Sequence, residues 1–98
     1  MDMFTPTAGT SLPNGATVIE ARESYKGRSG AVLAVWVKNG RGEYAVWTWY
    51  ASLNQAAAER GETVVDVHCE NGAFTEDLDT ALEQYTVRLD RVGALQRA

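Results

Sequence analysis

Four short β-type runs followed by one amphipathic stretch predict an α+β domain, a four-stranded antiparallel β-meander packed against one C-terminal α-helix (ββββα). Three observations carry that reading. Residues 31–52, AVLAVWVKNGRGEYAVWTWYAS, place two β-branched and aromatic runs either side of Asn39-Gly40 and hold all three tryptophans. Further runs rich in Val, Ile and Thr lie before and after this hairpin, each bounded by polar or glycine-containing segments. After Thr75 the apolar period changes from two to three or four, which marks a helix.

Residues 1–15 read as an irregular N-terminal arm, 16–93 as a single domain and 94–98 as a frayed tail. Pro6, Gly9, Pro13 and Gly15 punctuate the arm too often for a helix or strand. Leu12-Pro13-Asn14-Gly15 reads as a turn that delivers the chain into the sheet. In the first strand, 17–25, Ile19, Ala21 and Tyr25 share one parity while Glu20, Arg22 and Ser24 share the other. The following KGRSG is a solvated turn; no helix follows it to present an N-terminus to an anion.

Strand 31–38 is apolar on both parities, so both faces are covered or one is a recognition surface. Asn39-Gly40 suits a type I′ turn, while Gly42 leaves a longer bulged loop open. The third strand, 43–51, sets Trp47 and Trp49 on one face and Tyr44, Val46, Thr48 and Tyr50 on the other. Aromatics on a sheet also suit base stacking, with Arg22, Lys26, Arg28, Lys38 and Arg41 as the phosphate-binding cations. The residues interleaved with the rings are Ala, Val and Thr rather than basic ones, which favours core packing.

Residues 53–61 read as a short helical turn or loop, with Asn54 as N-cap and Gly61 after the C-cap. In the fourth strand, 63–70, Val65, Val67 and Cys69 share one face and Val64, Asp66 and His68 the other. His68 and Cys69 therefore point apart, which rules out a shared metal ion or a Cys–His catalytic pair. A hydrolase built on His68 and Asp66 requires both to line a concave pocket. Asn71-Gly72 reads as a sharp turn, and Thr75 as the cap of the long helix that Gly93 ends. Its apolar stripe is Leu78, Ala81, Leu82, Tyr85, Leu89 and Val92; Glu76, Asp77, Asp79 and Glu83 make its first half acidic.

Composition adds exclusions. Ninety-eight residues, 45% hydrophobic and 22% charged, suit one soluble domain with a real core. A formal charge of −4 disfavours generic phosphate-driven binding to nucleic acid. The lone Cys69 allows no intramolecular disulfide, and with no signal-peptide pattern in MDMFTPTAGT the expected compartment is the cytoplasm. No apolar run is long enough to span a bilayer. Phosphate-binding glycine loops, nucleophile elbows, paired histidines and internal repeats are absent, so neither an enzyme nor a cofactor or metal site is expected.

LPNGAT at 12–17 closely matches a pattern found in small, uncharacterised proteins of actinobacterial phages. Val46-Trp47-Thr48-Trp49, Gly72-Ala73-Phe74, Asp77-Leu78-Asp79-Thr80-Ala81 and the segment Tyr85 to Arg88 match it in part. Asn71-Gly72-Ala73-Phe74 departs from the Gly-His-Tyr-Phe turn of that class. The resemblance implies a small accessory protein of an infected bacterial host and brings no catalytic residue. With one helix to cover two apolar faces, Trp36, Tyr44, Trp47, Trp49 and Tyr50 are the expected interaction surface. A homodimer, a host protein or a phage protein would bury it, and the 53–61 loop is the alternative contact.

Overall fold

Polar connections between successive apolar runs, two of them short turns and the third carrying a short helix, let each strand pair with the one before it. The computed structural model describes residues 3–25, 27–38 (Lys38 by its backbone alone) and 40–94. Its elements are β1 (Thr17–Glu23), β2 (Ser29–Lys38), β3 (Arg41–Leu53), α1 (Gln55–Glu59), β4 (Val65–Thr75) and α2 (Leu78–Arg91). The strands form one antiparallel sheet in the order β1-β2-β3-β4, and α2 follows it, which is the expected α+β architecture. Lys38 pairs with Arg41 and Val37 with Gly42, so two residues connect β2 to β3 and the longer loop is excluded. Asn39 and its turn conformation lie outside the described residues.

Two bulges alter the alternation that the sequence suggests. Val18 partners Ala34 and Glu20 partners Leu33, which leaves Ile19 as an extra residue in β1. Val18 is therefore buried, Ile19 turns outward, and Ala21 returns to the face of Val18. In β4, Asn71 and Gly72 together oppose Trp47, between the Thr48–Glu70 and Val46–Ala73 pairs. Asn71 takes a left-handed φ of 56°. Asn71-Gly72 is thus a bulge and not the predicted turn, and β4 continues to Thr75.

Both faces of the sheet are covered in part. On one, Ala31, Leu33 and Val46 pack against Ala81, Tyr85, Leu89 and Ala94 of α2 and its C-terminal end. On the other, Val18, Val32, Ala34, Ala45, Trp47, Trp49 and Ala51 pack with Leu12 and Ala16, and Phe4 adds to them. The arm is irregular, as expected, but it acts as a second cover for the sheet. Gly15 N–H donates to Leu12 O at 2.9 Å and Leu12 N–H to Ala16 O at 2.8 Å, closing a tight three-residue loop with Gly15 at φ 89°. Gly9 N–H bonds Val18 O, and Val18 N–H bonds Thr10 O, which lays the arm alongside β1.

The buried stripe of α2 is Ala81, Tyr85, Arg88 and Leu89, while Leu78 and Leu82 stay exposed. This rotates the helix away from the predicted stripe and brings an arginine inside. Tyr85 is buried, and burial first, then the Glu20 charge, push the ionisation of its hydroxyl upward. At the C-terminus Gly93 takes φ 73°, its N–H bonds Asp90 O, and Ala94 N–H bonds Leu89 O at 2.8 Å, a Schellman ending. Ala94 is buried there, so the domain runs one residue past its predicted end; residues 95–98 lie outside the described residues.

The N-cap of α2 is Asp77, not Thr75, whose hydroxyl instead accepts from Asp77 N–H at 3.1 Å. Asp77 Oδ2 accepts from the Thr80 hydroxyl at 2.6 Å and from Thr80 N–H at 3.0 Å, and these bonds hold its pKa below the ordinary aspartate value. A depressed folded pKa stabilises the fold above the unfolded value of about 4, and that contribution is lost as pH falls through the folded value. Asp77→Ala should therefore melt earlier than the wild type at neutral pH, and the two melting curves should converge as the pH is taken below about 4. A gap that stays constant into acid would show that the carboxylate charge is not what caps the helix.

Candidate interaction surface

The five residues predicted to form one surface are divided by the sheet. Trp36, Trp47 and Trp49 lie on the face covered by the arm, whereas Tyr44 packs with the α2 side. Tyr50 is exposed on that same α2 side, where it pairs with His68 across β3 and β4. Trp49 is 0% exposed, and its indole N–H donates to Ala31 O at 3.2 Å, so it belongs to the core. Trp47 is 5% exposed. What remains accessible of the tryptophans is Trp36, half-buried, with its indole N–H on Asn14 O at 3.2 Å.

Trp36 and Trp47 are brought together, and Phe74 joins them. The Trp36 and Phe74 rings stack at 5.9 Å with 9° between planes. Trp47 meets both edge-on, at 5.1 Å and 77° to Trp36 and at 5.9 Å and 80° to Phe74. Such stacked and T-shaped pairs suit the ring quadrupoles. Phe74 is 50% exposed, so half of a ring packed against two indoles is open to solvent. Gly72 allows this closeness. A Cβ there would lie 2.6 Å from both Phe74 Cζ and Trp47 Nε1. Phe74 was missed because the bulge at Asn71-Gly72 sets its side, and the only local signal was the Asn-Gly pair itself.

The cations proposed for base stacking do not gather round these rings. Arg28 lies at the start of β2, its guanidinium carbon 4.4 Å from the centre of the Phe4 ring. Arg41 lies at the far end of β2, 4.0 Å from Glu76 in an exposed pair. The ten residues of β2 separate them, about 30 Å at the rise of a strand. Arg22 is exposed on β1; Lys26 and the Lys38 side chain lie outside the described residues.

The polar face of β4 is open and partnered. His68 Nε2 lies 3.0 Å from Glu70 Oε1, and Asp66 Oδ2 accepts from Asn54 Nδ2 at 3.1 Å. Both side chains stand on the exposed side of an edge strand, each engaged with a different neighbour. Cys69 points to the opposite face, half-buried, and burial pushes its thiol pKa up. Among the described residues no group of three His, Cys, Asp or Glu side chains is placed to hold a metal ion. No helix among them is long and apolar enough to cross a membrane.

The 53–61 connection is a formed element. Asn54 Oδ1 accepts from Ala57 N–H at 2.9 Å, Gly61 takes φ 76°, and Ala57 is buried. Its exposed residues are small or polar apart from Leu53, which is 40% exposed where β3 ends. Fold and surface together define a small α+β sheet-and-helix domain. Comparison of the chain with family models, curated proteins and solved structures finds no match.

Proposed function

We propose that the protein is a non-enzymatic interaction module that binds a protein partner through the Trp36–Trp47–Phe74 cluster. The observation that carries this reading is the half-exposed Phe74 ring held flat on Trp36 and braced by Trp47. Aromatic anchors that are already rigid lose little side-chain freedom on binding, and they dominate the energetics of protein interfaces. The sequence resemblance makes a host or phage protein in the cytoplasm of an actinobacterium the partner to seek, with a second copy of the chain as the other candidate. The 53–61 connection is the weaker contact, because Leu53 is its one exposed large apolar side chain, whereas the cluster offers aromatic rings.

A photoreactive phenylalanine analogue placed at position 74, with the same analogue at Glu59 as control, tests the surface. A discrete adduct with an actinobacterial protein, or with a second copy of the chain, is expected from position 74 and not from position 59. A folded protein that gives the same adducts from both positions, or none, would remove this surface from consideration.

A further inference from the structure

Away from the aromatic cluster, on the α2 side of the sheet, a groove of about 320 Å³ runs between α2 and β4. It is lined by Ala73, Glu83, Gln84, Val87, Arg88 and Arg91. Arg88 is unusual within it. Only 8% of the residue is exposed, yet among the described residues its one side-chain hydrogen bond is from Nη1 to the neutral Thr48 Oγ1, at 3.2 Å. No carboxylate lies within ion-pair distance of it among the described residues. Buried arginines are ordinarily paired, because the desolvated charge is costly alone.

Two further features mark the groove as incomplete. Arg91 stands close enough for its charge to act on Arg88: burial first, then Arg91, pull the Arg88 pKa below the usual arginine value. Two adjacent cations with no intervening anion repel, and an anion between them would relieve both. The wall also contains Gln84 Oε1, a buried acceptor that meets no donor among the described residues. Glu83 is the one acidic residue of the lining and is exposed.

We propose that this groove binds a carboxylate presented beside an N–H donor, the chemistry of a peptide C-terminus. The planar guanidinium of Arg88 suits the two oxygens of a carboxylate, and Arg91 adds charge at the rim. The terminal amide N–H would satisfy Gln84 Oε1. Val87 and Ala73 provide apolar surface for a small final side chain. The site lies on the opposite face from the aromatic cluster, so its success or failure is independent of that surface.

The test is an NMR titration of the full chain, following the Arg88 Nε–H, the Gln84 side-chain amide and the Ala73 N–H. Acetyl-glycyl-alanine with a free carboxylate is expected to give saturable shifts at all three, and its C-terminal amide to bind at least about tenfold more weakly. Absence of a saturable shift at Arg88, or equal binding of the amide, overturns the site. Inorganic phosphate binding as tightly as the peptide overturns the peptide terminus as ligand. Arg88→Met should keep or raise the thermal midpoint, since it removes a buried charge with no charged partner, while peptide binding is lost. Retained binding in that variant contradicts the proposal. If Arg88→Met does not fold, Arg91→Gln, at an exposed position, is expected to weaken binding several-fold, and unchanged affinity there counts against it.

Discussion

Trp49→Ala is expected to cost about 3–5 kcal/mol, the largest loss for a side-chain truncation in this domain. The residue is fully buried between β2 and β4 at the centre of the arm-side cluster, among Val32, Ala51 and Cys69. Truncation removes the transfer free energy of the indole and leaves a cavity that two neighbouring strands cannot close. It also takes the donor from Ala31 O, which then has no indole to accept from. A domain of this length has roughly 5–15 kcal/mol in total, so the variant should be marginal or unfolded at 25 °C. With a urea slope of about 1–1.5 kcal/mol/M, the midpoint should fall by about 2 M or more. Phe74→Ala should cost about 1 kcal/mol, because half of that ring is in water already. A Trp49→Ala midpoint within about 0.5 M of the wild type would mean that the indole is not part of the core.

That contrast shows where the sequence was readable and where it was not. The period of two runs unbroken through β3, so the division of Trp47 and Trp49 from Tyr44, Val46 and Tyr50 could be read directly. The ending of α2 at Gly93 and the cap residues Asn54 and Gly61 were equally plain, because caps act locally, whereas the sequence left the loop length after Lys38 and the choice of helix or loop at 53–61 open. The bulges were not. Ile19 and the Asn71-Gly72 pair each insert one residue, and every position beyond an insertion changes face relative to the count. Phe74 was hidden for that reason, and so was the burial of Val18.

The arm and Arg88 were hidden for a different reason. Pro and Gly in residues 6–15 correctly predict irregular chain, but local composition says nothing about where irregular chain packs. Leu12 and Ala16 cover the sheet because Trp49 and Val32 offer them an apolar surface that is distant in sequence. An arginine in the last turn of a helix ordinarily complements the dipole from the solvent side, so the residue type of Arg88 gives no sign of burial. Its burial follows from the rotation of α2 over Thr48, a residue forty positions earlier. The same long-range packing buries Trp47 and Trp49 under the arm and leaves Trp36 half-buried. The surface that survives is smaller and centred on a residue that the alternation had placed elsewhere.

Gly30→Ala should be the most damaging change that adds a single carbon. Gly30, the second residue of β2, lies opposite Glu23, and a Cβ on it would sit on the Arg22 carbonyl oxygen, well inside contact distance. The obstacle is backbone on the neighbouring strand, so no side chain can turn aside to make room. The hairpin there is clamped: Ser24 N–H bonds Ser29 O at 2.7 Å, the two serine hydroxyls meet at 3.0 Å, and Ala51 N–H reaches Arg28 O at 2.8 Å. Relief requires β1 to move from β2, and β1 carries Val18 and, through it, the arm. The cost should be about 3 kcal/mol or more, the upper range for overpacking. Gly40→Ala makes the control: φ is 75° but nothing lies within 4 Å, so only the left-handed penalty of about 1–2 kcal/mol applies. Urea denaturation should rank the two in that order, and amide exchange in Gly30→Ala should quicken in β1 and the arm ahead of β3. If Gly30→Ala costs no more than Gly40→Ala, the strands do not approach this closely, and the arm is not held by the β1–β2 pairing.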